Sequence, residues 1–358
     1  MKEDEQDPDF KEGISKHIVI YIFIGAIAFI VVSLFFIMIG YFESPEIITM
    51  CGDGTVFGAC SLRQPYSCDN GVLIERASVC GCSRFSNMSG DFCTSKYITG
   101  ELKRSFKYVI RGEEKELNFS VYGGMSDYLF NLPNTIRTNN NENISRKDFK
   151  MEGINEIEQR ELLLPFVTEI QNEENDKIDQ LRMAVSIVQN IPFGVSNKTI
   201  DFFGMNFPYS RYPYDVLYDN QGVCGEKSEL LSFILRELGY EVVFFYNQKE
   251  NHESIGIKCP EEFGFKKTGY CLIETTAPSI ISDNGIIYVG GIVLKSKPEL
   301  LLISEGANLS NNMYEYEDAK IWKELRDEIN EKGELNIFKI RKMNKLIKKY
   351  GLDGEYNI

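Results

Sequence analysis

Apolar and polar residues follow different rhythms along this chain, and each rhythm predicts its own element. From Ile18 to Tyr41 no charged residue interrupts IVIYIFIGAIAFIVVSLFFIMIGY. At ~1.5 Å per residue such a helix is about 36 Å long, enough to cross a ~30 Å hydrocarbon core, so a transmembrane helix is expected over residues 18–41. Lys2, Lys11 and Lys16 precede it, and the first Lys or Arg after it is Arg63. The positive-inside bias then puts residues 1–17 in the cytoplasm and the later domains outside, as a single-pass protein of the cell membrane.

Beyond the apolar run, Lys107–Arg111 and Lys115–Tyr122 alternate with period two about an Arg-Gly-Glu-Glu turn, the pattern of a β-hairpin. Residues 134–148 are polar and rich in Asn, a surface loop or linker. Two helices are expected next. The first covers Ile154–Asn172 and is kinked or divided at Pro165. The second covers Asp176–Gln189, where Ile178, Leu181, Val185 and Val188 share a face and Pro192 lies just past the end.

After Cys224, the residues Leu230, Leu231, Ile234, Leu235 and Leu238 form an apolar helical stripe that Gly239 ends, and Glu241–Tyr246 reads as a buried strand. HESIGIK, beginning at His252, and Tyr270–Thr276 alternate as two further strands. Asp318–Asn330 and Leu335–Tyr350 read as closing helices. On the last, Ile340, Met343, Leu346, Ile347 and Tyr350 face one way, and Arg341, Lys342, Lys345, Lys348 and Lys349 the other. Packing on the chain's own acidic domain is the favoured reading of that face, with an anionic membrane surface as the alternative.

Composition narrows the function. Among 358 residues, 39 Lys and Arg stand against 53 Asp and Glu, a net charge of −14. A surface that acidic repels phosphate backbones, which argues against a nucleic-acid partner. Nine cysteines and two histidines say more. Cys51, Cys60, Cys68, Cys80, Cys82 and Cys93 crowd into a glycine-rich stretch with few large apolar residues, too little core to hold together without staples. Zinc normally shows paired C-x-x-C knuckles, often with His; this stretch has one C-x-C and no His. Three disulfides are therefore expected and no metal, with the pairing left open. The module reads as a spacer or stalk. Sequons at Asn87, Asn118, Asn143, Asn197 and Asn308 fit an exposed location.

Cys224 stands apart from the rest. It lies between a Gly-containing turn and a helix N-terminus, where unpaired backbone N–H groups and the helix dipole favour a thiolate and one N–H can bind an oxyanion. Acyl chemistry also needs a proton carrier. His252 is the one histidine beyond the apolar run, His17 lying on its other side. If the two strands pair with Lys258 opposite Thr268, His252 falls opposite Glu274 on a shared face. Glu274 then orients the ring, while His252 takes the thiol proton and returns it to the leaving amine. The same register sets Cys271 opposite Ile255, so a Cys259–Cys271 disulfide needs Cys259 to fold back. Paired and unpaired states both stay open; the paired one leaves Cys224 as the odd thiol.

These residues carry a resemblance. GVCGEKSELLSFILRELGY, HESIGI and Tyr270-Cys-Leu-Ile-Glu-Thr-Thr276 make segment 176–278 similar to the transglutaminase-like superfamily of papain-fold cysteine enzymes. That family usually carries Asp where Glu274 stands. The resemblance implies an α+β fold in which a nucleophile helix packs on an antiparallel sheet, with Cys224, His252 and Glu274 as nucleophile, general base and acid, and orienting acid. Eukaryotic transglutaminases place a tryptophan upstream, near the oxyanion. The only tryptophan here is Trp322, downstream, so Gln221 or the Tyr212 hydroxyl is the candidate donor.

The expected organisation is a tail (1–17), the membrane helix (18–41), the Cys-rich module (42–95), hairpin and linker (96–150), the transglutaminase-like domain (151–305) and closing helices (306–358). The expected function is cleavage of peptide or isopeptide amide bonds in a protein or peptide substrate through an acyl-thioester, by hydrolysis and without a cofactor. The alternatives are a protein-crosslinking transglutaminase and a non-catalytic surface protein that binds peptide or glycan.

Overall fold

A computed structural model describes residues 20–21, 24–35, 50–132, 145–202, 204–285, 287–288 and 292–352. The chain forms two compact units, Met1–Ile48 and Thr49–Ile358. In the first, residues 24–35 are helical. Among the described residues no helix is long and apolar enough to cross a membrane. The transmembrane helix expected over 18–41 is therefore not supported, and neither is the single-pass placement argued from it. Residues 18–19, 22–23 and 36–41 of that stretch, like residues 1–17, lie outside the described residues.

The second unit opens with the Cys-rich module. β1 (Tyr66–Asp69) pairs with β2 (Val72–Glu75), α1 (Ala77–Cys80) follows, and β3 (Asn87–Ser89) pairs with β4 (Phe92–Thr94). Its buried apolar cluster is only Cys51, Tyr66, Cys68 and Leu73. The bonds Cys51–Cys68, Cys60–Cys80 and Cys82–Cys93 supply what burial does not. The module is no free-standing stalk. Gln180 Nε2 donates to the Gly52 carbonyl at 2.8 Å, and the Asn172 side chain accepts from Leu73 N at 2.8 Å and donates to Leu73 O at 3.1 Å. Arg63 reaches both the Gln171 side chain and the Glu237 carbonyl.

β5 (Glu101–Ile110) and β6 (Glu113–Tyr122) make a longer hairpin than its tip suggested. Its turn residues Arg111 and Gly112 have φ of 54° and 83°, the conformation a two-residue hairpin loop requires. α2 (Gly123–Phe130), α3 (Arg146–Asn155), α4 (Ile157–Glu173) and α5 (Lys177–Asn190) follow, then the small hairpin β7 (Thr199–Phe202) and β8 (Met205–Pro208), α6 (Pro213–Asp219) and α7 (Cys224–Glu237). α3 starts inside the stretch expected to be linker. α4 runs unbroken through Pro165. The proline costs a helix about 3 kcal/mol, but Leu162, Leu163, Phe166, Val167 and Ile170 are all buried around it, at roughly 1.5–3 kcal/mol each. Packing wins.

The main sheet is antiparallel, in the order β11 (Tyr270–Ile273), β10 (His252–Lys258), β9 (Val242–Asn247), β14 (Glu299–Ser304); β12 (Ile287–Tyr288) and β13 (Ile292–Val293) pair separately. α7 packs on β9 and β10 and against α5 and α6. One core joins Leu231 and Ile234 of α7, Leu181 and Val185 of α5, Ile255 and Ile257 of β10, and Phe106 and Val121 of the long hairpin. The architecture is thus α+β, with the Cys224 helix on an antiparallel sheet. On the sheet face away from α7, Gly256 of β10 leaves room for Val243 and the Phe245 ring of β9, which a Cβ there would strike.

α8 (Tyr314–Lys332) and α9 (Ile337–Tyr350) close the chain. Leu346 is buried with Trp322, Leu325 and Ile280, and Asp318 accepts from Lys349 Nζ and Tyr350 OH, both at 2.6 Å. The basic helix packs on its own domain. Asn87, Asn118, Asn197 and Asn308 are exposed, and Asn143 lies outside the described residues.

Candidate active site

Cys224 is the first residue of α7, and it is the free cysteine after four disulfides form. The turn before it is held from below by charge. Glu226, one turn into the helix, accepts from the backbone N–H of Val223 at 3.0 Å and of Arg211 at 2.8 Å, closing the helix start. The buried Arg211 guanidinium then donates to Glu226 at 3.1 Å, Asp219 at 2.6 Å, the Gly194 carbonyl at 3.0 Å and Gln221 Oε1 at 3.1 Å. Residues 193–195 are drawn alongside the turn before Cys224, where Phe193 bridges Gly222 in parallel. The side chains of Phe193 and Val195 are exposed there.

His252 opens β10. Its Nε2 lies 3.1 Å from Glu274 Oε2, and it is also hydrogen-bonded to the Cys224 side chain. The register that does this differs from the expected one by two residues. Lys258 pairs with Tyr270 and Ile255 with Ile273, where the ladder stops. Glu274 therefore lies past the strand end and reaches His252 diagonally, with the length of its side chain. The shift also brings Cys271 opposite Ile257, and Cys259 bonds Cys271 with their Cα atoms 5.7 Å apart. No fold-back is needed: Cys259 N–H donates to the Gly269 carbonyl at 3.3 Å, continuing the same register, so the two cysteines are diagonal neighbours.

Glu274 is fully buried. Its Oε1 accepts from Thr276 N at 2.7 Å and Thr276 Oγ1 at 2.5 Å, while Gln189 Nε2 holds its backbone carbonyl at 2.9 Å. Burial by itself lowers the pKa of His252, but the hydrogen bonds and charges of Cys224 and Glu274 outweigh it and push the imidazolium up to about 9.

Several residues around this centre escaped the sequence reading. Lys227 is fully buried on α7. It sits on the stripe of Leu230, Leu231 and Ile234, and that helical spacing was the available signal. Lys150 of α3 bridges Glu229 at 2.7 Å and Glu253 at 2.8 Å, and Arg146 meets Glu253 at 2.7 Å. A Cβ at Gly225 would collide with that Glu253 carboxylate, so glycine beside Cys224 makes room for the charge cluster.

The two oxyanion candidates part company. Gln221 lies in the turn before Cys224, with Oε1 taken by Arg211 and Nε2 against Gly194. Tyr212 caps α6, half-buried; burial pushes its hydroxyl up to about 12, with Glu156, Glu152 and Glu229 adding to the shift. Among the described residues no group of three or more His, Cys, Asp or Glu is placed to hold a metal ion.

No family profile matches the sequence, and no curated protein matches it. A solved structure of Legionella pneumophila LapG (calcium-bound) is similar, at 14% identity and a TM-score of 0.21, over 48% of this chain and 97% of that one. A likeness of that size carries no argument about function.

Proposed function

We propose that the protein is a transglutaminase-like cysteine hydrolase acting on amide bonds of a protein or peptide. The observation that carries the reading is His252 held between the free Cys224 thiol and the buried Glu274 carboxylate. With Nε2 committed to Glu274, Nδ1 is the ring nitrogen left for the thiol. An imidazolium maintained to about pH 9 favours the thiolate–imidazolium pair at neutral pH.

The thiolate attacks the amide carbonyl, and the oxyanion forms beside the N-terminal N–H groups of α7 and the Gln221 amide. Tyr212 fits that role poorly, because its hydroxyl lies among carboxylates that would repel an oxyanion. His252 gives its proton to the leaving amine, and the acyl group remains on Cys224 as a thioester. Water then enters, His252 takes its proton, the carboxylic acid departs and the thiolate returns. Phe193 and Val195 offer an apolar shelf for a substrate side chain next to the scissile bond. Four disulfides suit an oxidising, extracytoplasmic compartment.

Incubating the chain with a peptide library, with and without a primary amine, and reading products by mass spectrometry tests the reading. New carboxyl termini are expected, and none with Cys224→Ser. Amine adducts without hydrolysis would make the protein a crosslinking enzyme. No covalent change at any pH would sink the catalytic reading.

A further inference from the structure

Lys227 is the buried charge that the proposed chemistry leaves unused. It lies one turn into α7 from Cys224, and its Nζ donates to three backbone carbonyls: Ile191 at 2.5 Å, Thr276 at 3.1 Å and Gln189 at 3.3 Å. Three acceptors match the three N–H bonds of an ammonium. None is a carboxylate; Glu274 acts on Lys227 only through its charge. Burial pushes the ammonium down to about 7, an effect the Glu274 charge only partly offsets. Burying a cation without a direct ion pair is expensive, and a leucine on the same stripe would fill the space without that cost. The stripe therefore carries its ammonium for something other than core filling.

Two of the three carbonyls belong to residues that hold Glu274. Thr276 donates both N–H and Oγ1–H to Glu274, and the Gln189 amide holds the Glu274 backbone. Thr275 Oγ1 adds a bond of 3.4 Å to the Cys224 carbonyl. The end of α5, the loop that carries the acid and the nucleophile helix thus meet at one Nζ. We propose that Lys227 is a positioning residue: it fixes the spacing between the Cys224 end of α7 and the Glu274–Thr276 loop, and so keeps Glu274 against His252. The proposal rests on the hydrolase reading above. The titratable group that acts on it is Glu274, beyond β11. α5 presents the Gln189 and Ile191 carbonyls, and the turn at Gly222 packs on the lysine stem with Val216 beside it.

The test uses the 358-residue chain with Lys227→Met, which keeps the bulk of the stem, and Lys227→Gln, which keeps two donors. Peptide hydrolysis and Cys224 alkylation by iodoacetamide are followed from about pH 6 to pH 10. We expect kcat to fall about tenfold or more with KM changed less than about twofold. The alkaline limb should move from about 9 toward neutral, as in Glu274→Gln, and further for Met than for Gln. Folded variants with the parent's kcat and alkaline limb overturn the proposal. So do variants that fail to fold, since Lys227 would then serve the fold and not the triad. An inert Cys224 in the parent chain would instead defeat the hydrolase reading.

Discussion

His252 is the residue at which opposing effects meet. Burial disfavours its charge, while Glu274 and Cys224 favour it, and the balance lies near pH 9. The folded-state pKa is thus above the ordinary 6.5. Its contribution to stability is complete below about pH 6.5 and is lost as pH rises through about 9. Activity follows the same proton. Hydrolysis should hold from neutral to about pH 8 and fall through about 9, as the imidazolium that must protonate the leaving amine disappears. In Glu274→Gln the carboxylate charge is gone and the limb should drop below that of the parent; a pH–rate profile checks it, and an unmoved limb would detach Glu274 from His252. At this scale the sequence singled out Cys224, His252 and Glu274 by scarcity and order. It missed Lys227 and Arg211, because a lone Lys or Arg reads as surface until burial is known. In this fold both are buried, and every partner named for them is a backbone carbonyl or a side chain brought in by folding.

Elements were legible where a local signal stood alone. α7, β9 and β10 fall where periodicity and Gly239 predicted, because each is a run of apolar residues with its own stop. α3 was hidden by its polarity. Its one local mark is Ser145 and Asp148, which bond each other's backbone N–H as a capping box. Its attachment is mostly ionic, through Arg146 and Lys150, with Ile154 the buried anchor. Strand register could not be read either. Pairings two residues apart put the same side chains on the same face, and only the loop from Cys259 to Gly269 and its disulfide distinguish them. That disulfide closes a short loop at the end of β10 far from His252. Cys259→Ala with Cys271→Ala should therefore cost about 3 kcal/mol of stability and leave kcat within about twofold. Denaturant unfolding and steady-state kinetics measure the two, and a large loss of kcat would mean that the bond supports the triad.

Over the whole molecule, the Cys-rich module belongs to the body that carries the site. Asn172 holds Leu73 from both sides, and Arg63 reaches across to Gln171 and Glu237. Replacing Asn172 by Ala removes two hydrogen bonds, roughly 1–3 kcal/mol of docking. Limited proteolysis should then cut residues 50–95 faster, with hydrolysis unchanged; equal cutting would mean that the disulfides alone protect the module. The apolar stretch near the N-terminus teaches the opposite lesson, because hydropathy over 18–41 suggested a membrane span, and among the described residues no helix is long and apolar enough to make one. By itself the sequence determined the strongly patterned segments such as α7, β9 and β10, that the early cysteines need staples, and which three residues form the candidate catalytic set. Those depend on neighbours along the chain and on counts. The fold alone decided the register that joins Glu274 to His252, the burial of Lys227 among three carbonyls and the seating of the module. Each depends on contacts between residues far apart in sequence, which no local pattern contains.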